Sequence, residues 1–324
     1  MSETVLSVIV VSRRGGELLD RCLSSAQAAL DRIDGAGEIV LVLNGPEAGE
    51  PPSATRADPR ITVLSERENT GFAPAVGAAI ERSRGEWVAL LNDDASCEPD
   101  ALAHLLAAGA SAADVGSVAA QMRFAGRPEM INSAGIEVDR LGVAYDRLLG
   151  SPLAAGEAET VEVFGASGGA ALYRREMLSQ IGGFDGSFFA YLEDVDVAWR
   201  ARMHGWRCLY EPRAVVFHHH SATLGHGSRR KYYLVGRNRV RVLAKNADGA
   251  LLLRYGPWIL ANDLAYVLYV AATKWTLAPL RGRIAGLAQW RRYRRAGAEG
   301  RRAVALASVS GLRAALRRQR VWTG

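Results

Sequence analysis

The chain has 324 residues, enough for one large domain or two modest ones, and its 49% hydrophobic and 23% charged residues exclude a disordered polymer. Cys22, Cys97 and Cys208 lie far apart without C-x-x-C spacing, which argues against a disulfide framework or a cysteine zinc site and fits a reducing cytosol. The net charge of +6 is lopsided: residues 281–324 hold twelve arginines, no lysine and one acid, Glu299, and their net of +11 leaves −5 for residues 1–280. A cationic tail on an acidic body suits an anionic surface; no nucleic-acid-binding motif accompanies it, so nucleic acid is not an expected partner. The N-terminus has neither a basic n-region nor a small-residue cleavage site, so no signal peptide is expected.

In chain order, the β-branched run Val5–Ser12 reads as a buried strand and residues 17–30 as a helix. Glu38–Leu43 is a second strand, stopped by the turn Asn44-Gly45-Pro46. Ile61–Leu64 is a third strand, residues 72–83 a helix, Glu86–Leu91 a fourth strand and residues 100–109 a helix opening behind Pro99. Four alternations of this kind predict stacked βαβ units: an α/β fold with a mostly parallel sheet and helices on both faces. Ligands of such sheets bind beyond the carboxyl ends of the strands, where Asn44 and Asn92–Asp94 fall. Farther on, 115–124, 168–173 and Ala214–Phe217 read as strands and 193–204 as a helix, while 126–160 is Gly- and charge-rich and reads as irregular.

Three constellations carry chemistry. Asp93 and Asp94 are adjacent carboxylates at a strand end, costly unless a cation neutralises them; a hard divalent ion there can bridge a diphosphate. The alternative is a capping role for the following helix. Glu193, Asp194 and Asp196 stand at a helix start, where the helix dipole alone accounts for them, or where one serves as a general base toward an acceptor hydroxyl. His218-His219-His220, with His226 nearby, offers imidazole to a metal, although alternation along a strand lets at most two of the three face one ion. Asn69-Thr70-Gly71-Phe72 ahead of a helix brings backbone close to a ligand, and the small residues 165–170 form either a floor under a sugar or a tight packing joint.

Taken in order, SVIVVS at 7–12, ENTGFAPAVGAAI at 68–80, GEWVALLNDDA at 85–95, the block from Gly168 to Trp206 and YEPRAVVFHHHSAT at 210–223 resemble the family 2 glycosyltransferases. That resemblance covers roughly residues 5–245. It implies a GT-A (Rossmann-like) fold and inverting transfer from a nucleotide-diphosphate sugar with Mg²⁺ or Mn²⁺. Carried over by position, Asp94 is the metal ligand with His218 as a further metal or diphosphate contact. Asp93, Ser12, Asn44, Asn69 and Gly71 line the nucleotide side, and Asp194 is the base, aligned by Glu193. The branch it looks most like is rhamnosyltransferase-like, which implies a dTDP-, UDP- or GDP-linked donor and a polyprenyl-linked or glycan acceptor in bacterial cell-envelope synthesis. Three departures fall in the nucleotide half: Leu43 where the family has Asp, Ser12-Arg13-Arg14 where its first strand ends near Thr-Tyr-Asn, and Gly77 where Asn is frequent. The alternative they raise is a catalytically degenerate scaffold at the membrane.

The expected organisation is a catalytic domain over residues 1–245, with a nucleotide-sugar half to about 124 and an acceptor half beyond, followed by a helical, arginine-rich extension over 246–324. Trp258–Thr273 is apolar apart from Asn262 and Asp263 and is too short to span a bilayer. Trp258, Tyr266, Tyr269 and Trp275, with the arginines from Arg281 and Arg283 onward and the spacing of Leu306, Val309, Leu312 and Leu316, predict helices lying in a membrane surface. The expected location is the cytoplasmic face of the plasma membrane, held peripherally against anionic lipid.

Overall fold

The run TVLSVIVVS forms β1 (Thr4–Ser12), whose Leu6, Val8 and Val10 pack into one apolar cluster and whose Ile9 packs into another on the opposite face. This is the two-sided burial of a central strand. The computed structural model describes residues 4–219, 228–297 and 302–309. His220 and His226 of the histidine-rich segment, and Leu312 and Leu316 of the tail, lie outside them. After β1 come α1 (Glu17–Leu30), β2 (Ala36–Asn44), α2 (Ala54–Ala57), β3 (Ile61–Glu66), α3 (Phe72–Arg82) and β4 (Trp87–Asn92). α1 buries Leu19, Cys22, Leu23, Ala26, Ala29 and Leu30, the helical spacing of one face.

Beyond β4 the chain forms β5 (Ala95–Cys97), α4 (Ala101–Ala110), β6 (Val115–Phe124), β7 (Arg127–Ser133), β8 (Ile136–Val138), β9 (Ala144–Asp146), β10 (Val161–Val163) and β11 (Ala170–Arg174). The remainder is α5 (Arg175–Ile181), α6 (Glu193–Met203), β12 (Arg207–His218), α7 (Arg229–Asn246), α8 (Gly249–Lys274), α9 (Ala278–Ala288) and α10 (Trp290–Ala296). The main sheet runs β10-β12-β6-β11-β4-β1-β2-β3, with β5 beside β12 and β7 beside β6. β3, β2, β1 and β4 are parallel throughout, and so are β6 and β12; β11 enters antiparallel between β4 and β6. This is the α/β fold expected, with helices on both faces and a helical C-terminal region.

One local expectation is corrected. Residues 126–160 are not irregular throughout: β7 pairs with β6, and β8 with β9. Each is stabilised by a pairing that no local pattern announces. The helix that carries the apolar run Trp258–Thr273 extends beyond it on the N-terminal side. α8 starts at Gly249, capped by Asp248 accepting from the Leu251 amide at 2.6 Å, and runs through Pro257. Proline removes one helical hydrogen bond. Here it does so beside Leu253, which is 86% exposed, where the freed carbonyl is not buried. A third apolar cluster joins α6 through Trp199 to Val242 and Leu243 of α7, Ile259 of α8 and Tyr293 of α10.

Candidate active site

A cavity of about 260 Å³ opens beyond the carboxyl ends of β1, β2 and β4. Asp93, Asp94, Glu193 and Asp194 all line it, together with Asn44, Asn69, Gly71 and His218. Residues 100 positions apart thus face one space.

Asp93 and Asp94 occupy the turn between β4 and β5. Asn92 of β4 donates its amide to the Gly169 carbonyl at 3.0 Å, which ends the strand beside β11. β5 then pairs with β12 so that Ala95 sits opposite His218. That register brings His218 Nε2 to 3.0 Å from Asp94 Oδ1. The other ring nitrogen, Nδ1, is 3.1 Å from Asn132 Oδ1; donation there leaves Nε2 directed at the cavity. Ser12 is fully buried and does not line the cavity. Its Oγ donates to Asp93 Oδ2 at 2.7 Å and accepts from the Gly15 amide at 3.1 Å, so it acts through Asp93. Burial, reinforced by the neighbouring Asp94 charge, pushes the Asp93 carboxyl up to about 6 against the opposing Ser12 hydrogen bond.

Asn44 also works through its neighbours. Its Oδ1 accepts from the Thr70 amide and hydroxyl, each at 3.0 Å, and its Nδ2 donates to the Gly71 carbonyl at 3.0 Å. Asn69 Oδ1 accepts from the Gly71 amide at 3.0 Å. Gly71 has φ of 99°, and a Cβ there would lie 2.5 Å from the Phe189 carbonyl oxygen, so glycine is required where the two loops meet. Leu43 is buried in the β-sheet core, away from the cavity, while Arg13 lines the cavity and pairs with Glu47 at 3.0 Å.

Asp194 sits in the first turn of α6. Its Oδ2 accepts from the Gly168 amide at 3.1 Å and its Oδ1 from the Val195 amide at 2.8 Å. Burial raises both acids of the pair, and the Asp194 charge raises Glu193 further. With two amide donors on Asp194 and Glu193 Oε2 buried without a partner, the first negative charge of the pair belongs on Asp194 while Glu193 keeps its proton. The backbone donors, rather than Glu193, hold Asp194 in place. Of the small-residue run, Ser167, Gly168 and Gly169 line the cavity, whereas a Cβ on Gly165 would meet Ala198 Cβ at 2.4 Å; one stretch serves as both lining and packing joint.

The loop before α6 is strained: Phe189, Tyr191 and Leu192 have φ of 68°, 71° and 66°. Such conformations cost on the order of 1–3 kcal/mol each and persist where surroundings over-determine them. Asn238 of α7 supplies that restraint, with Nδ2 between 2.7 and 2.9 Å from the carbonyls of Phe188, Ala190 and Tyr191. Arg237 adds a bond to the Phe188 carbonyl at 2.8 Å. Asp196 does not face the cavity. It is fully buried and bound by Arg200, Lys245 and Asn246.

Several residues at or beside the site escape the sequence reading. Tyr191 adjoins the acidic motif and could have been found there. Asn132, Asp146, Lys231 and Asn238 give no local signal, because they arrive from strands and a helix remote in sequence. Burial raises the Asp146 carboxyl to about 6, with the charge of Asp194 adding to it, and the Asp146 charge partly offsets the burial that lowers Lys231, a residue of the cavity wall.

The same fold occurs in GalNAc-T7 solved with UDP, GalNAc and Mn²⁺, with a TM-score of 0.60 and 17% identity over 76% of this chain and 49% of that one. It occurs again in the mannosyltransferase PcManGT from Pyrobaculum calidifontis solved with GDP-Man and Mn²⁺, with a TM-score of 0.54 and 20% identity over 91% and 84% of the two chains. The architecture is therefore that of the GT-A glycosyltransferases. Residues 7–182 match the profile of Glycosyl transferase family 2, and the chain belongs to that family. It is rhamnosyltransferase-like: the N-acetylglucosaminyl-diphospho-decaprenol L-rhamnosyltransferase of Mycobacterium tuberculosis is 30% identical over 247 residues, 68% of this chain and 78% of that one. The O-antigen biosynthesis protein RfbC of Myxococcus xanthus is 27% identical over 173 residues, 51% of this chain and 13% of that one. Sugar transfer is the activity this membership carries.

Proposed function

We propose that this glycosyltransferase moves a sugar, with inversion, from a nucleotide-diphosphate donor bound at Asp93–Asp94 to a hydroxyl deprotonated by Asp194. The observation that carries it is that Asp94 and Asp194 line one cavity of about 260 Å³. The cavity presents the Asp93 and Asp94 carboxylates, the His218 imidazole and an Asp194 carboxylate held by two backbone amides, which suits a metal-held leaving group and a positioned base. The rhamnosyltransferase relative suggests a deoxysugar donor and a polyprenyl-diphosphate-linked acceptor.

The donor set fits Mg²⁺ or Mn²⁺. Asp94 contributes carboxylate oxygen, and His218 directs Nε2 toward it from a ring held by Asn132. Among the described residues no group of three or more His, Cys, Asp or Glu side chains is placed to hold a metal ion, so the fit rests on Asp94 and His218. When bound, the ion supplies neutralisation of the leaving diphosphate. Titrating the chain with dTDP-, UDP- and GDP-sugars in Mn²⁺ tests this reading. At a ligand concentration a hundred times Kd the wild type should gain about 2.7 kcal/mol of stability. Asp94→Ala should bind the preferred nucleotide sugar at least roughly tenfold more weakly, about 1.4 kcal/mol, and lose the Mn²⁺ dependence. Equal affinity with and without Mn²⁺ in the wild type would remove the metal from the proposal.

Membrane association belongs to the same reading. No helix among the described residues is long and apolar enough to cross a bilayer. α8 nevertheless exposes Leu253, Trp258, Leu260, Leu264, Leu268 and Tyr269, between 41% and 86% accessible, and α9 exposes Ile284 and Leu287 at 58% and 55%. The one acid from Gly249 to Gly297 is Asp263, engaged by Arg239 and Arg283, so nothing on this face repels anionic lipid. Tyr266 and Arg283, expected at the surface, instead pack inward, the guanidinium 5.2 Å from the ring. Trp258→Glu with Leu264→Glu should reduce flotation with phosphatidylglycerol vesicles at least about tenfold, since each buried CH₂ contributes roughly 0.8 kcal/mol. Nucleotide affinity should stay unchanged, and undiminished flotation would assign the face another partner.

A further inference from the structure

A second cavity, of about 450 Å³, lies between the first turn of α7 and the turn joining α8 to α9. Arg229, Arg230 and Arg281 line it together with Tyr233, Trp275 and Thr276. Among the described residues none of these three guanidiniums has a carboxylate partner, whereas Arg239 of α7 and Arg283 of α9 are both paired with Asp263. Three guanidiniums around one space, none with a carboxylate partner among the described residues, form a site for a multiply charged anion, because planar donors in forks match phosphate oxygens.

The neighbourhood narrows which anion. The first turn of α7 belongs to both cavities: Lys231 lines the active site and holds its Nζ 5.3 Å from the Tyr191 ring, while Arg230 lines the second cavity and stacks 4.8 Å from the Phe189 ring of the active-site wall. A ligand with its phosphates among the arginines therefore lies against the same helix turn, and beside the same Phe189, that line the Asp194 cavity. On the other side the cavity opens at Trp275, 86% exposed and in a left-handed conformation, φ 51°. Leu277, Leu280, Ile284 and Leu287 continue from there along α9 as an exposed apolar stripe at helical spacing, 38% to 58% accessible. Hydroxyl-bearing sugar, diphosphate and hydrocarbon thus find reactive, cationic and apolar surfaces in that order.

The geometry points to this cavity as the binding site for the diphosphate of a prenyl-linked acceptor, with the stripe of α9 taking the first hydrocarbon units. The inference rests on the transferase reading above and adds where the acceptor is held. Anionic headgroups have the exposed arginines of α10 available and would not need a cavity that adjoins the reaction centre.

Isothermal titration of the whole chain with farnesyl diphosphate, with farnesol and with inorganic pyrophosphate tests it. Wild type should bind farnesyl diphosphate more tightly than either fragment. Arg229→Ala with Arg281→Ala should weaken it at least tenfold while leaving farnesol, Mn²⁺-dependent nucleotide binding and the melting temperature unchanged. Both side chains are exposed, so folding is not at stake. Unchanged farnesyl diphosphate affinity in the double variant overturns the assignment. So does displacement of farnesyl diphosphate from wild type by saturating nucleotide, which would locate it in the donor site. An equal loss of binding to phosphatidylglycerol vesicles would make the cavity a headgroup site and also overturns it. If nucleotide sugars fail to bind while the arginine-dependent farnesyl diphosphate affinity is present, the site stands and the donor reading falls.

Discussion

Asp194→Asn should lower the transfer rate by about 10²–10⁴, the range for losing a positioned general base, or roughly 3–5 kcal/mol of barrier. Asparagine keeps the shape and one acceptor for the two amides that now bind the carboxylate, from Gly168 and Val195. Its amide group faces the other donor, at a stability cost of about 1–3 kcal/mol. Nucleotide affinity should hold, because the diphosphate side of the cavity is untouched. The pH profile separates this role from a structural one. A base works only when ionised, so kcat/KM falls as pH drops through its pKa. Burial holds the Asp194 carboxyl above the ordinary range, so the acid limb of the wild type should lie at higher pH than an ordinary carboxylate would give. Glu193, raised still further by the Asp194 charge, stays protonated there and cannot substitute. In Asp194→Asn that limb should vanish along with the rate. A variant retaining more than a tenth of wild-type activity would end the assignment.

Asp196→Ala should be the most damaging change to stability. Its carboxylate is fully buried and accepts from Arg200 Nε at 2.9 Å, Lys245 Nζ at 3.0 Å and Asn246 Nδ2 at 2.9 Å, which joins α6 to α7 beneath the strained loop. Removing it strands buried cations, although Lys245 keeps Asp185 at 2.8 Å. The cost of breaking such a pair is about 3–5 kcal/mol. At roughly 2–4 °C per kcal/mol, thermal unfolding should begin roughly 6–20 °C lower. Burial alone would push the Asp196 carboxyl up; the charges of Arg200 and Lys245 overcome that and hold it below the ordinary value. A depressed folded-state pKa gives stability that is complete above the unfolded value of about 3.9 and is lost as pH falls through the folded one. The difference between wild type and Asp196→Ala should therefore be full at neutral pH and shrink below about pH 4. A gap under about 1 kcal/mol at pH 7 would mean that the cluster is solvated in solution.

The nucleotide half was legible because its signals are local. β1, β2, β3 and β4 are runs of apolar residues bounded by turn formers, and α1 and α3 carry helical spacing; each boundary falls within a few residues of its expected place. β5, β7, β8 and β9 were not legible, because segments of three to seven mixed residues become strands only when a partner edge is present. α7 was missed for a related reason: its positions Asn238, Arg239, Arg241 and Lys245 are polar and yet buried, so the sequence shows no apolar stripe to read. Those side chains bind loop carbonyls, the Gln289 side chain and acids of distant elements.

Residue types and order by themselves determined the parallel α/β half, the acids at Asp93–Asp94 and Glu193–Asp194 and the cationic, apolar C-terminal region, since each depends on interactions within a few residues. Only the tertiary structure decided that these acids face one cavity, that His218 meets Asp94 through the β5–β12 register, and that Asp196 is a buried anchor rather than a third active-site acid. It also decided that Tyr266 and Arg283 turn inward while Trp258 and Trp275 stay out. The reason is physical: strand register, loop strain and ion pairing across elements are settled by which surfaces meet, and no stretch of chain carries that information alone.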